Sequence, residues 1–318
     1  MSSAEFARLP GIFTPNESVL DEQIAALPFR IVIDSLGFRG SDIARQKPEG
    51  LVRILVVGDS HVFGDFVQNG ETLPAQLQDS LSRRCRSTET VNAGLGGSTI
   101  VDQMQMLRRV LPLSPDLVVL VFSENDVTDL ASQPSMWNAL AANREAKSRF
   151  PLSLVYPVLK NTALWTLSLR AAAIVRTRRT ERRATGADGA AEHPDVHAAR
   201  ARLRERYAAE LRAFRDTLAA RSVPLVFVLF PSHFTYAAST AEGVEQLEWA
   251  RAVGEQAGVR TLSLLAPLRV GNLPKNRIYL LPHDGHPTPL AYGIAAGFLA
   301  DQLARQSPLS ERCRIEGK

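Results

Sequence analysis

The feature that most constrains the fold of this 318-residue chain is a series of short apolar, β-branched runs. Three are clear, at 52–57, 117–122 and 224–230, and each ends at a glycine, serine or proline. Two weaker candidates cover 89–92 and 259–262. Because these runs are continuously apolar rather than alternating, they predict strands that are buried on both faces of a sheet.

Amphipathic patterns of helical period separate these runs, over residues 73–84, 100–111, 199–221, 241–257 and 289–306. Alternating strands and helices predict an α/β fold, namely a three-layer α/β/α sandwich with a mainly parallel, flavodoxin-like sheet. Ligands in such folds bind at the carboxyl ends of the strands. Polar residues that directly follow a strand are therefore the first candidates for a functional site.

We expect one α/β domain over residues 51–306, with a loop-like N-terminal arm over 1–50 packed on it and a C-terminal tail over 307–318. A helical insertion from about 137 to 196 interrupts the domain. Three interpretations of the insertion stay open: plain helix packing, a lid over an acyl pocket, or peripheral contact of 151–183 with an anionic membrane surface. No stretch is long and uncharged enough to predict a transmembrane helix.

Charge and cysteine content argue against several classes of protein. Thirty-seven Lys and Arg against 33 Asp and Glu leave a formal charge of +4, which is weak for a nucleic-acid binder. Cys85 and Cys313 lie in unrelated segments without metal-ligand spacing. The sequence thus predicts neither a disulfide scaffold nor a zinc site, and a reducing compartment fits. Because the N-terminus shows no charged leader with an apolar stretch, we expect a cytoplasmic protein.

The first clear strand runs directly into Gly58-Asp59-Ser60. A glycine allows the backbone to turn sharply, and a serine at the carboxyl end of the strand is then exposed where a nucleophile would act. The alternative interpretation is that Asp59 or Ser60 only caps the following helix. Other segments of the chain bear on that choice.

Polar residues also follow the next two strands and precede the last helix. Gly97 lies in a glycine-rich segment after the second strand, and Asn125 follows the third. A glycine N–H and an asparagine amide are donors that can be directed at a developing oxyanion. Near the C-terminus, Asp284 and His286 offer the carboxylate and the base that a serine nucleophile needs.

These blocks, in this order, resemble the SGNH (GDSL-type) hydrolase superfamily, including a bacterial subgroup of esterases and polysaccharide O-acetyl-modifying enzymes. The resemblance implies a catalytic triad of Ser60, His286 and Asp284. It also implies an oxyanion hole formed by Ser60, Gly97 and Asn125. Four blocks in the family's order are far more specific than any one of them.

The chain departs from the family pattern in three places. His61 stands where the GDSL motif has leucine, and Ser123 stands where the third block usually has glycine. The acid and base are spaced Asp284-x-His286, one residue shorter than the commoner form. Residues 35–40, Ser-Leu-Gly-Phe-Arg-Gly, are similar to an upstream motif of one bacterial subgroup.

Four further residues are candidate substrate contacts: Asp59, His61, His233 and His283. His233 follows the fourth strand and so faces the same edge of the sheet, and the other three lie next to motif residues. His61 is also explained by packing, and Asp59 by a turn in which its carboxylate accepts backbone N–H groups. His283 competes with His286 as the base, and the motif spacing favours His286.

The resemblance implies a serine esterase that forms an acyl-enzyme from an acetyl or short-chain ester of a small molecule or saccharide. An O-acyltransferase with the same residues and a catalytically silent binding protein of the same fold are the alternatives. No nucleic acid, metal or cofactor is expected, since the chain has no phosphate-binding glycine motif. The following aspartates could suggest a cation site, but their spacings match no known cage: Asp59, Asp65, Asp126 and Asp129.

Overall fold

The computed structural model describes residues 9–22, 24, 26–131, 136–138, 140, 142 and 194–313. The strands are β1 (Ser18–Asp21), β2 (Phe29–Val32), β3 (Val52–Gly58), β4 (Thr88–Gly94), β5 (Leu117–Ser123), β6 (Leu225–Phe230) and β7 (Arg260–Ser263). The α-helices are α1 (Ser60–Phe63), α2 (Leu73–Ser82), α3 (Ile100–Val110), α4 (Asn125–Asp129), α5 (Pro194–Ala219), α6 (His233–Ala237), α7 (Glu245–Gln256), α8 (Leu265–Arg269), α9 (Lys275–Ile278) and α10 (Pro289–Ala304).

The predicted insertion lies almost wholly outside the described residues, including the segment 151–183. Its three interpretations therefore stay predictions. In the described part of the chain, no helix combines the length and apolarity needed to cross a membrane.

The main sheet has five parallel strands in the order β4-β3-β5-β6-β7. This is the flavodoxin-like order, so the fold prediction is confirmed. After β3 the chain adds β4 as its neighbour on one side. The next strand, β5, then pairs with β3 on the opposite side, so the direction of strand addition reverses at β3. Ligands of such sheets bind at this reversal, beyond the carboxyl ends of the two strands. Ser60 follows β3 and Asn125 follows β5.

Two apolar layers cover the sheet, and β3 contributes alternate residues to both. Ile54 and Val56 pack in the cluster that includes α2 and α10. Leu55 and Val57 pack in the opposite cluster with α3, α5 and α7. Because every residue of β3 is buried, the strand needs apolar side chains on both faces, which accounts for the continuous apolar run.

The N-terminal segment differs from the loop-like arm expected from the sequence, because β1 and β2 pair as an antiparallel hairpin. Each strand has only four residues and little burial, so neither leaves a clear periodic signal. The hairpin is attached to the main domain by the side chains of Gln68 and Asn69, which accept hydrogen bonds from the N–H groups of Arg30 (3.0 Å) and Val32 (3.1 Å).

The two cysteines form a disulfide, Cys85–Cys313. The sequence analysis gave no indication of this bond, because 228 residues separate the two cysteines and their spacing carries no information about their contact. The chain after α10 folds back to the end of α2, where the Arg86 N–H donates to the Arg312 carbonyl at 3.1 Å. A disulfide also removes the support that free cysteines lent to a reducing compartment.

Candidate active site

Ser60 occupies the first residue of α1, directly beyond β3. Asp59 caps this four-residue helix, with its carboxylate accepting the His61 N–H at 2.9 Å. Position 58, two residues before the serine, favours glycine, since a Cβ on Gly58 would lie 2.6 Å from a methyl of Val62. The capping interpretation is thus correct for Asp59, and it leaves the Ser60 hydroxyl available for another role.

The hydroxyl of Ser60 lies 2.8 Å from Nε2 of His286. On the other side of the ring, Nδ1 contacts Oδ1 of Asp284, and the His286 N–H donates to the same oxygen at 2.8 Å. The short Asp-x-His spacing therefore still allows the carboxylate to orient the imidazole. With the ring proton on Nδ1, Nε2 is free to accept the serine proton.

Electrostatics reinforce this arrangement. Burial by itself would lower the pKa of His286, but the hydrogen bond and charge of Asp284, with the charges of Asp65 and Asp59, raise it above its ordinary value. Burial opposes ionisation of Asp284, yet the bonds and charge of His286 hold the pKa of that carboxyl below its usual range. The pair thus favours an imidazolium beside a carboxylate, the state that follows proton transfer from serine.

The predicted oxyanion residues converge on the turn that carries Ser60. The glycine-rich segment is attached to β3 because the Leu95 N–H donates to the Gly58 carbonyl at 3.0 Å. The Ser98 hydroxyl donates to the same carbonyl at 3.3 Å. Gly97 is exposed and has a φ of +70°, in the left-handed region that favours glycine. A Cβ there would also lie 2.9 Å from the terminal methyl of Met136.

Asn125 begins α4 at the end of β5, and its side chain is exposed. Its amide nitrogen donates to Asp129 at 2.8 Å and lies 3.4 Å from a carboxylate oxygen of Asp59. Burial raises the pKa of Asp129. Two carboxyl groups therefore hold the amide beside the nucleophile turn, where it is a candidate donor.

Asp59 lies beneath the site, with no solvent-exposed side-chain surface. Besides the His61 N–H, it accepts the Ser123 hydroxyl at 3.0 Å. Ser123 stands where the family pattern has glycine, so the departure adds a bond that fixes the capping carboxylate. Full burial contradicts the predicted substrate contact of Asp59 and agrees with its role in the turn.

The three remaining candidate histidines lie around the triad at different depths. His61 packs 5.2 Å from the Phe230 ring and 5.4 Å from the His286 ring. His233 lies against Gly285, where a Cβ would come within 2.9 Å of its Nδ1. His283 is exposed. Of the two competing bases, His286 is the one hydrogen-bonded to Ser60.

Two residues at the site were missed as site residues by the sequence analysis. Burial raises the pKa of Asp65 to about 6, against the charges of His286 and Arg39. Phe66 places its ring 5.4 Å from that of His286. Asp65 also abuts the glycine-rich segment, because a Cβ on Gly96 would lie 3.3 Å from its carboxylate. The sequence offered no signal beyond their position a few residues after Ser60.

Glu124 was also missed. It precedes Asn125 and accepts the N–H of Ser232 at 2.9 Å and the hydroxyl of Thr235 at 2.8 Å. The carboxylate therefore joins the loop after β5 to the loop after β6, which carries His233. Only its place in the Ser-Glu-Asn-Asp block could have indicated it.

The aspartates weighed as a cation site do not assemble into one. Within the ranges that the structure describes, no group of three or more His, Cys, Asp or Glu side chains could hold a metal ion. Asp126 is fully buried, and burial together with the charge of Asp59 raises its pKa well above the ordinary value. A raised pKa disfavours the ionised carboxylate that a metal ligand needs.

The chain belongs to the GDSL-like Lipase/Acylhydrolase family, whose profile matches residues 56–294. The match begins in β3, before Ser60, and ends in α10, after His286, so it spans the site described above. Family membership makes this protein an enzyme of the ester-hydrolase class and confirms the resemblance drawn from the motifs.

Several solved structures are similar to this chain. One is the lipase/acylhydrolase from Enterococcus faecalis, at 13% identity and a TM-score of 0.48, covering 84% of this chain and 100% of that one. Another is Axe2, an acetylxylan esterase from Geobacillus stearothermophilus, at 14% identity and a TM-score of 0.44, covering 80% and 94%. No curated protein sequence matches the chain at a significant level.

Proposed function

We propose that this protein is a serine esterase in which Ser60 is the nucleophile, His286 the general base and Asp284 the residue that orients the base. The observation that carries the proposal is the continuous set of contacts from Ser60 Oγ to His286 Nε2, at 2.8 Å, and from His286 Nδ1 to Asp284. A serine hydroxyl is a weak nucleophile unless an adjacent base removes its proton in the transition state.

The chemistry proceeds in two acyl transfers. Ser60 Oγ bonds to the ester carbonyl carbon while its proton passes to His286 Nε2. The tetrahedral intermediate then collapses, the alcohol leaves with the proton from His286, and the acyl group stays on Ser60. Water attacks this second ester by the same route and releases the carboxylic acid. Asp284 stabilises the imidazolium that forms in each transfer.

The oxyanion that forms on the carbonyl needs donors at the turn. The backbone N–H groups of Ser60 and Gly97 and the amide of Asn125 supply them in this proposal. The positive φ of Gly97 supports it. The Asn125 amide donates to Asp129 and Asp59 in the free protein, so it would exchange one of these hydrogen bonds for one to the oxyanion. Donors directed at a developing negative charge stabilise it in the transition state.

An acetyl or short acyl group suits this site better than a long alkyl chain. The Asp65 carboxyl lies against the glycine-rich segment beside the proposed oxyanion hole. Burying alkyl carbons against a polar carboxyl group is unfavourable, because the carboxyl loses water without gaining a hydrogen-bond partner from the alkyl chain. We therefore expect kcat/KM for 4-nitrophenyl esters to fall from acetate to octanoate. A maximum at octanoate would contradict the short-chain assignment and leave the triad intact.

The test of the nucleophile is intact-mass spectrometry after exposure to a fluorophosphonate, in which Ser60 Oγ would bond to phosphorus as fluoride leaves. We expect one adduct on the wild type, mapped to Ser60 and absent from Ser60→Ala. No adduct on folded wild type would favour the catalytically silent binding protein. Adding an alcohol acceptor to the ester assay distinguishes hydrolysis, which yields the acid, from transfer, which yields a new ester.

A further inference from the structure

Arg39 lies at the end of the upstream segment 35–40, and only 2% of its surface is exposed. Its guanidinium donates to three backbone carbonyls that follow Ser60: those of Phe63 at 3.0 Å, Gly64 at 2.6 Å and Val67 at 2.6 Å. A single side chain thus contacts the whole turn from the end of α1 to residue 67.

These carbonyls belong to the structure that presents the nucleophile. Helix α1 has only four residues and is capped by Gly64. The Gly64 N–H donates to the Ser60 carbonyl at 2.8 Å. The Asp65 N–H lies 3.3 Å from the same carbonyl. One helical turn is not stable by itself. Its carbonyls therefore need an external donor to stay in place, and Arg39 supplies it.

The guanidinium is itself held on several sides. Its Nε donates to the Asn69 side chain at 3.0 Å. Its Cζ lies 4.9 Å from the centroid of the Phe63 ring and 5.4 Å from that of Phe29. A planar guanidinium with a fixed fork of donors can serve several acceptors at once, whereas a lysine ammonium cannot reproduce this geometry.

The segment before Arg39 is a tight turn organised by Asp34. The Asp34 carboxylate accepts the N–H groups of Leu36 at 2.9 Å and Phe38 at 2.8 Å, and the Asp34 N–H donates to the Phe38 carbonyl at 2.8 Å. The upstream motif thus folds locally and directs its arginine at the nucleophile turn.

We propose that Arg39 is a positioning residue for catalysis, which holds α1 and the turn after it so that the Ser60 hydroxyl stays aligned with His286. The inference rests on the proposed function of Ser60. It also assigns a role to the N-terminal segment, which lies outside the stretch that matches the family profile.

A matched control exists because a second buried arginine, Arg53, lies at the amino end of β3. Arg53 is fully buried and donates to the Leu113 carbonyl at 2.7 Å, the Ala44 carbonyl at 2.6 Å and Glu89. Its surroundings are as polar as those of Arg39, but it lies at the amino end of the strand, away from Ser60.

The experiment compares Arg39→Lys, Arg39→Met and Asn69→Ala with Arg53→Lys, measuring kcat, KM and the rate of fluorophosphonate labelling per mole of folded protein. A 1 Å misplacement of a reacting group costs about 100-fold in rate. We therefore expect Arg39→Lys to lower kcat and labelling about 10- to 100-fold with KM little changed. Asn69→Ala should have a smaller effect in the same direction, and Arg53→Lys should keep wild-type kcat.

Wild-type kcat in folded Arg39→Lys and Asn69→Ala would overturn the proposal, even if Arg39→Met fails to fold. An equal loss in Arg53→Lys would also overturn it, because any buried arginine would then have the same effect. If the wild type is not labelled, the proposed function fails by itself. Amide hydrogen exchange of residues 60–67 then still tests the positioning role, with faster exchange expected in Arg39→Lys than in Arg53→Lys.

Discussion

The two ends of β3 are both rich in charge, yet they are built differently. At the amino end, Asp116 accepts the Arg53 N–H at 2.7 Å and pairs with Lys47 at 2.5 Å, while the Arg53 side chain pairs with Glu89. Each acid there has a basic partner. Such an arrangement satisfies buried polar groups and contributes to the stability of the fold.

At the carboxyl end, several buried acids lie close together. Asp59, Asp65 and Asp126 lie near one another, with Arg39 and the histidines as the counter-charges. Burial raises the pKa of Asp65 to about 6 and raises that of Asp126 above its ordinary value, and the charge of Asp59 adds to both effects. Carboxyl groups whose pKa values are perturbed by burial and neighbouring charges are typical of functional sites. The contrast indicates that the amino end maintains the fold and the carboxyl end performs chemistry.

The largest effect should come from the nucleophile. Ser60→Ala removes the hydroxyl oxygen that contacts His286 Nε2, so we expect kcat for a 4-nitrophenyl ester to fall about 10⁴-fold or more. Ser82→Ala, an exposed serine at the end of α2, is the matched control and should turn over as the wild type does. Residual activity within tenfold of wild type would show that another group attacks the ester.

Next in size is the loss of the candidate oxyanion donor. Asn125→Ala should lower kcat about 100-fold or more, because removing one such donor costs about 3 kcal/mol in the barrier. Thr128→Ala, an exposed residue of the same helix, controls for disturbance of α4. The ratio of the two kcat values is the measurement, and a ratio near one would remove Asn125 from the oxyanion hole.

A smaller effect concerns pH. His286 must be neutral to accept the serine proton, and Asp65 raises the pKa of His286, which moves the acid limb of activity to higher pH. Asp65→Asn removes that charge, so the pKa should fall and the limb should move to lower pH. The profile of kcat/KM from pH 4 to 9 measures this. The exposed Asp79→Asn should not move the limb, and a shift of the Asp65 variant to higher pH would contradict the assignment.

The smallest effect on activity should come from a change near the amino ends of the sheet strands, where the Cys85–Cys313 bond lies. The same change should have a clear effect on stability. Breaking the Cys85–Cys313 bond releases the chain after α10 near the start of β4. Removing a disulfide typically costs about 2–4 kcal/mol of unfolding free energy. We expect Cys85→Ser to lower Tm while kcat at 25 °C stays unchanged. A fall in kcat with no fall in Tm would reverse the comparison between the two ends of the sheet.

Much of the site could be predicted because its parts are local in sequence. The Gly58-Asp59-Ser60 turn, the glycine-rich segment and the Asp284-x-His286 pair each follow or precede a recognisable element. The order of the blocks then indicated the family. Asp59 was assigned both to the turn and to substrate contact, and only its burial beneath α1 decides between them.

The sequence by itself determined the sheet and the family, because a strand buried on both faces is mainly apolar and a nucleophile turn needs glycine and serine in a fixed order. The tertiary structure alone decided that Cys85 and Cys313 pair and that Arg39 donates to the nucleophile turn, and it shows the contact between His286 and Ser60 that the motif spacing only favoured. These contacts join residues far apart in the chain. Their geometry follows from the packing of the whole domain, which no local pattern encodes.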